Sequence, residues 1–173
     1  YPSRLSKNLA ALRLHPQELG PEHIGPFVPE YAEIDQEIDH RLESLATIIA
    51  ECTSIQAAAT ALIQLEPWDF MGVYFNAIDH FCHGFMRYYP PQMEGVSDQG
   101  FKLFNGVIEC AYRFHDMMLG VLLELAGPET TVILLSDHGF HPDHLRPSHI
   151  PVEPAGPAVQ HRKQGILVIK GPD

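Results

Sequence analysis

Residues 131–140 read TVILLSDHGF. The run Val132–Leu135 is wholly apolar, and Ser136, Asp137 and His138 close it. A short unbroken apolar run is the pattern of a strand covered on both faces, which is how strands of parallel sheets read. Two further segments share it: 69–76, DFMGVYFN, and 165–171, GILVIKG. Between the first two, residues 101–125 set Phe104, Val107, Ile108, Ala111, Phe114, Met118, Val121, Leu122 and Leu125 on one helical face, and Gly127-Pro128 ends that helix. Strand, helix, strand and strand predict a layered α/β fold with a largely parallel sheet.

Upstream, residues 1–29 hold Pro2, Pro16, Pro21, Pro26 and Pro29 with Gly20 and Gly25 between them. That spacing predicts a Pro-rich connecting segment with at most a short helix near Leu5–Leu14. Residues 30–173 are then the domain. Ile34, Ile38, Leu42, Leu45 and Ile49 recur at helical steps, and Thr53 with Gln56 forms a capping box for a second helix through Leu65. Loops are expected at 88–100 and 139–164.

Lysine plus arginine total 11 against 22 aspartate plus glutamate, a net charge of −11. This argues against nucleic-acid binding through phosphate contacts. It leaves a phosphate-ester substrate open, because bound cations invert the local field. Cys52, Cys82 and Cys110 are too few and too scattered for a disulfide framework or a zinc finger. No membrane span is expected, since Glu51 and Glu124 interrupt the longest apolar stretches. The chain opens on Tyr1 and ends on Asp173 directly after an apolar run, so it is expected to be a segment of a longer one.

Three short motifs border the predicted strands. Asp79 and His83 follow the first at a spacing of four, which puts both side chains on one side of a helical turn. Asp137-His138-Gly139 follows the second, at a strand end where ligand groups converge, with Gly139 expected to turn the chain sharply. His161 precedes the third by four residues. Each alone has an ordinary explanation: a capping Asp with a surface His, a turn, a solvated loop histidine. In this order and at these strand ends they make a metal-ligand set. Mixed nitrogen and oxygen donors suit zinc first and manganese second. Two-metal hydrolysis of phosphate esters needs such donors around cations about 3.5–4 Å apart.

Other residues are weaker. Arg146 matches the geometry of a substrate phosphate, and Arg162 and Lys163 are similarly ambiguous. His141, His144 and His149 read as a polar loop over a site mouth before they read as a further metal site. His80 points away from Asp79 on a helix, His115-Asp116 reads as a solvated helix face, and Cys82 as core.

D-x-x-x-H after an apolar strand, then S-D-H-G, then H-x-x-x-G-I before a strand ending in Gly-Pro resembles the C-terminal half of the type I phosphodiesterase/nucleotide pyrophosphatase family, in the alkaline phosphatase superfamily. The resemblance covers roughly residues 68–173. It implies a three-layer, alkaline phosphatase-like α/β fold, here an incomplete part of the full domain. It implies two divalent metal ions, one on Asp79, His83 and His161, the second on Asp137 and His138. It implies a small phosphodiester or nucleotide pyrophosphate as substrate. In the family an early Asp completes the second metal site, and a Thr or Ser nucleophile sits at a helix N-terminus. No strand followed by Asp-Gly and such a helix start precedes Asp79 here, and Thr53 and Ser54 read as caps. The chain is therefore expected to be inactive by itself. The alternatives are a phosphoglycerate mutase-like or sulfatase-like relative, and a non-catalytic metal-binding or interaction module.

Overall fold

The computed structural model describes residues 5–151 and 156–172. In chain order the helices are α1 (Ser6–Ala10), α2 (Pro21–Ile24), α3 (Arg41–Leu65), α4 (Ala77–Phe85), α5 (Asp98–Phe104) and α6 (Val107–Ala126). The strands are β1 (Val132–Ser136), β2 (Gly139–Phe140), β3 (His161–Arg162) and β4 (Ile166–Lys170).

Where two helices were expected between 30 and 65, there is one. No Pro or Gly interrupts Arg41–Leu65, and Ala, Leu and Ile fill it. Thr53 and Gln56 lie in mid-helix, so no cap forms there; a cap needs non-helical backbone. The helix starts late because Asp35 and Asp39 side chains accept from the backbone N–H groups of Glu37 (3.0 Å) and Arg41 (3.1 Å), local bonds that compete with helix. By length and composition α3 could cross a membrane; here Leu42, Leu45, Ile49, Ala50, Cys52 and Ala59 are buried in the protein.

The helix expected over 101–125 is divided at Asn105-Gly106. The Asn105 amide donates to the Phe101 carbonyl at 2.8 Å and so competes with the backbone. Ser97 caps α5, accepting from Gly100 N–H at 3.1 Å. Gly127, at φ +78°, ends α6 as expected.

The core lies among α3, α4 and α6. Phe81 is fully buried and stacks on Phe27 with centroids 5.4 Å apart, while the Phe114 edge meets Phe27 at 5.9 Å. Each such ring contributes about 1.5–3 kcal/mol by leaving water. Ile24, Phe27 and Val28 belong to this core, Leu19 packs against it, and Leu14 N–H donates to Ser54 Oγ in α3 at 2.9 Å, so the Pro-rich segment is joined to it. His115 also differs from its expected solvated position. Its ring edges meet Phe75, Phe81 and Phe114 at 6.1, 6.2 and 5.9 Å.

The predicted parallel sheet is replaced, among the described residues, by two antiparallel pairs, β1 with β4 and β2 with β3. In the first, Val132 faces Lys170 and Ser136 faces Ile166. The pair closes tightly at Gly165: a Cβ there would lie 1.8 Å from the Ser136 carbonyl oxygen. Both strands are open on both faces, with Leu135 and Leu167 each 67 % exposed. A doubly apolar run predicts cover on two sides, and the described residues supply neither a third strand nor a covering helix. For the same reason 69–76 is no strand here. Among the described residues it has no ladder partner, and Phe70 is 88 % exposed.

Candidate metal centre

Helical phase decides which way α4 presents its ligands. Ala77, Phe81, Cys82 and Phe85 are buried and fix the inner face. Asp79 and His83 lie two residues on from Ala77 and Phe81, about 200° around the helix at roughly 100° per residue. They therefore look out of the core together, and His83 Nε2 is 3.4 Å from Asp79 Oδ2.

The short β2–β3 pair brings the distant parts to this face. Phe140 pairs with His161 in register. The Phe140 ring is buried and meets His83 and His161 edge-on, each at 4.9 Å, forming an apolar wall behind them. His161 Nε2 then stands 3.0 Å from His83 Nε2. One ligand atom from each of Asp79, His83 and His161 lies within 4.8 Å of the others.

The donor set fits a divalent cation on two grounds. Asp79 Oδ1 is buried without a hydrogen-bond partner, and an unpaired buried carboxylate oxygen is costly unless a cation or proton meets it. His83 Nε2 and His161 Nε2 also meet at 3.0 Å, within hydrogen-bond distance, so two nitrogen donors converge beside that carboxylate. Burial first, then the neighbouring His138 and His83, hold the His161 pKa below its usual value, with Asp79 opposing. That favours the neutral, ligating form.

His138 reaches the same carboxylate. Its Nε2 is 3.7 Å from Asp79 Oδ1, and its ring stacks on His161 with centroids 3.7 Å apart and planes 12° from parallel. Stacked rings aim their nitrogens side by side. The stacking would suit His161 and His138 to separate cations rather than to one shared ion. Asp137 is the exposed member: its side chain is 90 % exposed, and its Oδ1 accepts from His138 N–H at 3.1 Å and lies 3.8 Å from His138 Nε2. Gly139 is not the expected turn. It lies in β2 opposite Arg162, and the positive-φ glycines are Gly95 and Gly127.

Arg146, expected at a substrate phosphate, lies inside the protein. It is 8 % exposed and donates to the carbonyls of Met86 (3.2 Å), Tyr89 and Pro91 (2.6 Å). Its N–H groups hold the loop after α4. His144 and His149 are exposed, His141 is half-buried beside Asp143, and Cys82 is core, with burial pushing its thiol up to about 12. His80 is exposed and lines an open cleft with Glu43, Ser44, Thr47, Ile48 and His83. Sequence reasoning missed Gln160, which is buried with its Oε1 2.6 Å from His83 Nδ1. Its adjacency to His161 was the available signal.

Neither the curated proteins nor the solved structures give a match to this chain. A family model described as type I phosphodiesterase / nucleotide pyrophosphatase matches residues 10–153. The match takes in Asp79, His83, Asp137 and His138; His161 lies beyond it. It also reaches back through α2 and α3, where the motifs themselves carried no resemblance. With most of its length inside that match, the chain belongs to the type I phosphodiesterase / nucleotide pyrophosphatase family.

Proposed function

We propose that this chain carries metal-binding machinery for hydrolysis of a phosphodiester or nucleotide pyrophosphate, with Asp79, His83 and His161 taking one divalent cation and Asp137 and His138 the second. The family is one of phosphodiesterases and pyrophosphatases acting on small phosphate esters or nucleotides. The observation that carries the reading is the buried, unpartnered Asp79 Oδ1 with the Nε2 atoms of His138 and His161 each 3.7 Å away. Zinc suits these donors best, manganese next. Divalent cations in such a site stabilise phosphoryl oxygens and make an attacking oxygen more acidic.

The chain's own groups then divide the work. His83 and His161 offer ring nitrogens over the Phe140 wall, which keeps water off one side. Asp79 supplies the negative charge, with its two oxygens turned to different imidazoles. The side-by-side His138 and His161 rings favour two cations over one. Among the described residues no Ser, Thr or Cys side chain hydrogen-bonds to a side chain of the cluster; Ser136 Oγ donates to the His138 carbonyl at 2.7 Å. No strand followed by Asp-Gly and a Thr or Ser helix start precedes Asp79, so in this reading the chain holds the metal without hydrolysing the ester by itself.

Calorimetric titration of the metal-free chain with Zn(II) or Co(II) tests this. The expected result is one tighter equivalent, abolished by Asp79→Ala or His161→Ala, and a weaker second, abolished by His138→Ala. No saturable binding by the wild-type chain, or binding untouched by both of the first two variants, sinks the assignment. A second reading, a one-ion binding module, is favoured by the outward Asp137 side chain. A stoichiometry of one that survives His138→Ala would select it.

A further inference from the structure

We propose that Gln160 is a positioning residue of the metal centre: its side-chain oxygen holds His83 in the tautomer that leaves Nε2 free for the cation. The inference rests on the metal reading of the same cluster. A neutral imidazole carries one N–H, and the partner of one nitrogen decides the state of the other. His83 Nδ1 lies 2.6 Å from Gln160 Oε1, so Nδ1–H donates there and Nε2 keeps its lone pair. That nitrogen is the one next to the other candidate ligands, His161 Nε2 at 3.0 Å and Asp79 Oδ2 at 3.4 Å.

Gln160 is built to hold this position. It is 6 % exposed, and its backbone carbonyl accepts from His141 N–H at 3.1 Å, tying it to the chain just after β2. The Phe140 edge, with its plane 79° from the His83 ring, limits rotation of that ring from another side. The amide adds no charge, so it orients the ligand without altering the charge balance that the cation meets. Partners of this kind typically matter about 10–100-fold in metal affinity.

The test uses the full chain and Co(II) alone as probe. Long-range proton–nitrogen spectra of the metal-free wild type should show His83 protonated on Nδ1. Gln160→Leu should weaken Co(II) binding about 10–100-fold, whereas Gln160→Glu, which keeps an acceptor oxygen, should retain it. Circular dichroism melts check that both variants fold. Protonation on Nε2 in the wild type overturns the inference, as does wild-type affinity in a folded Gln160→Leu chain or equal loss in both variants. If Gln160→Leu does not fold, the wild-type tautomer and the Glu variant decide. A wild-type chain that binds no Co(II) sinks the metal reading, while the tautomer still tests Gln160 separately.

Discussion

Asp79 and His83 were legible because a spacing of four on a helix is a fact of geometry, independent of what surrounds it. His115 shows the opposite case. Its neighbours in sequence, Phe114 and Asp116, do not reveal that Cys52 Sγ comes within 3.5 Å of its Nε2 while its Nδ1–H donates to the Ala111 carbonyl at 2.8 Å. Burial lowers the His115 pKa below the ordinary 6.5, and pushes the Cys52 thiol up to about 12. The pair is thus neutral, with the thiol donating. A histidine depressed in the folded state contributes stability that is complete above the unfolded pKa and is lost as pH falls through 6.5 toward the folded value. Urea midpoints of the metal-free chain should therefore fall from about pH 7.5 to about pH 5.5, and fall less in His115→Gln. Equal slopes for the two chains would rule out this role for His115.

Helices and loops were legible where local chemistry decides them. The end of α6 at Gly127 follows from backbone freedom at positive φ, whereas the fusion of the expected helices into α3 follows from an uninterrupted run of good helix formers. The loop after α4 is different, because a residue 60 positions away from Met86 holds it. Replacing Arg146 by Met keeps apolar volume but leaves the Tyr89 and Pro91 carbonyls without their Arg146 donor, while the Met86 carbonyl keeps the Tyr89 N–H at 3.1 Å. Unsatisfied buried acceptors cost about 1–3 kcal/mol, so Arg146→Met should lose about 2 kcal/mol in urea denaturation. Co(II) affinity should stay near wild type, since the guanidinium faces carbonyls rather than the cluster. Unchanged stability with lost phosphate-ester binding would instead restore Arg146 to the substrate.

Across the molecule, apolar surface is unevenly covered. The α3–α4–α6 core is closed, while β1 and β4 expose both faces and Phe70 and Tyr74 stand in solvent at 88 % and 80 % exposure. Contiguous exposed apolar surface of this kind binds hydrophobic dyes and lowers solubility. Leu135 and Leu167 are cross-strand partners, so their side chains share one face. The double change Leu135→Lys with Leu167→Lys should reduce fluorescence of an anilinonaphthalene sulfonate dye and leave Co(II) affinity within a few-fold. Undiminished dye binding would mean that this surface is covered in solution.

The family and the candidate donors were legible in the sequence: residue types, their order and the helical spacing of Asp79 with His83 point to the family and to a candidate donor cluster, because donor chemistry and short-range periodicity need no tertiary partner. The apolar runs of β1 and β4 were there as well, since their composition marks extended segments. Strand direction, the absence of a ladder at 69–76, the outward Asp137, the stacking of His138 on His161 and the approach of Gln160 to His83 were decided only by the tertiary structure. Each depends on which distant segment lies alongside, and pairing across 78 residues, as between His83 and His161, leaves no periodic trace in the chain.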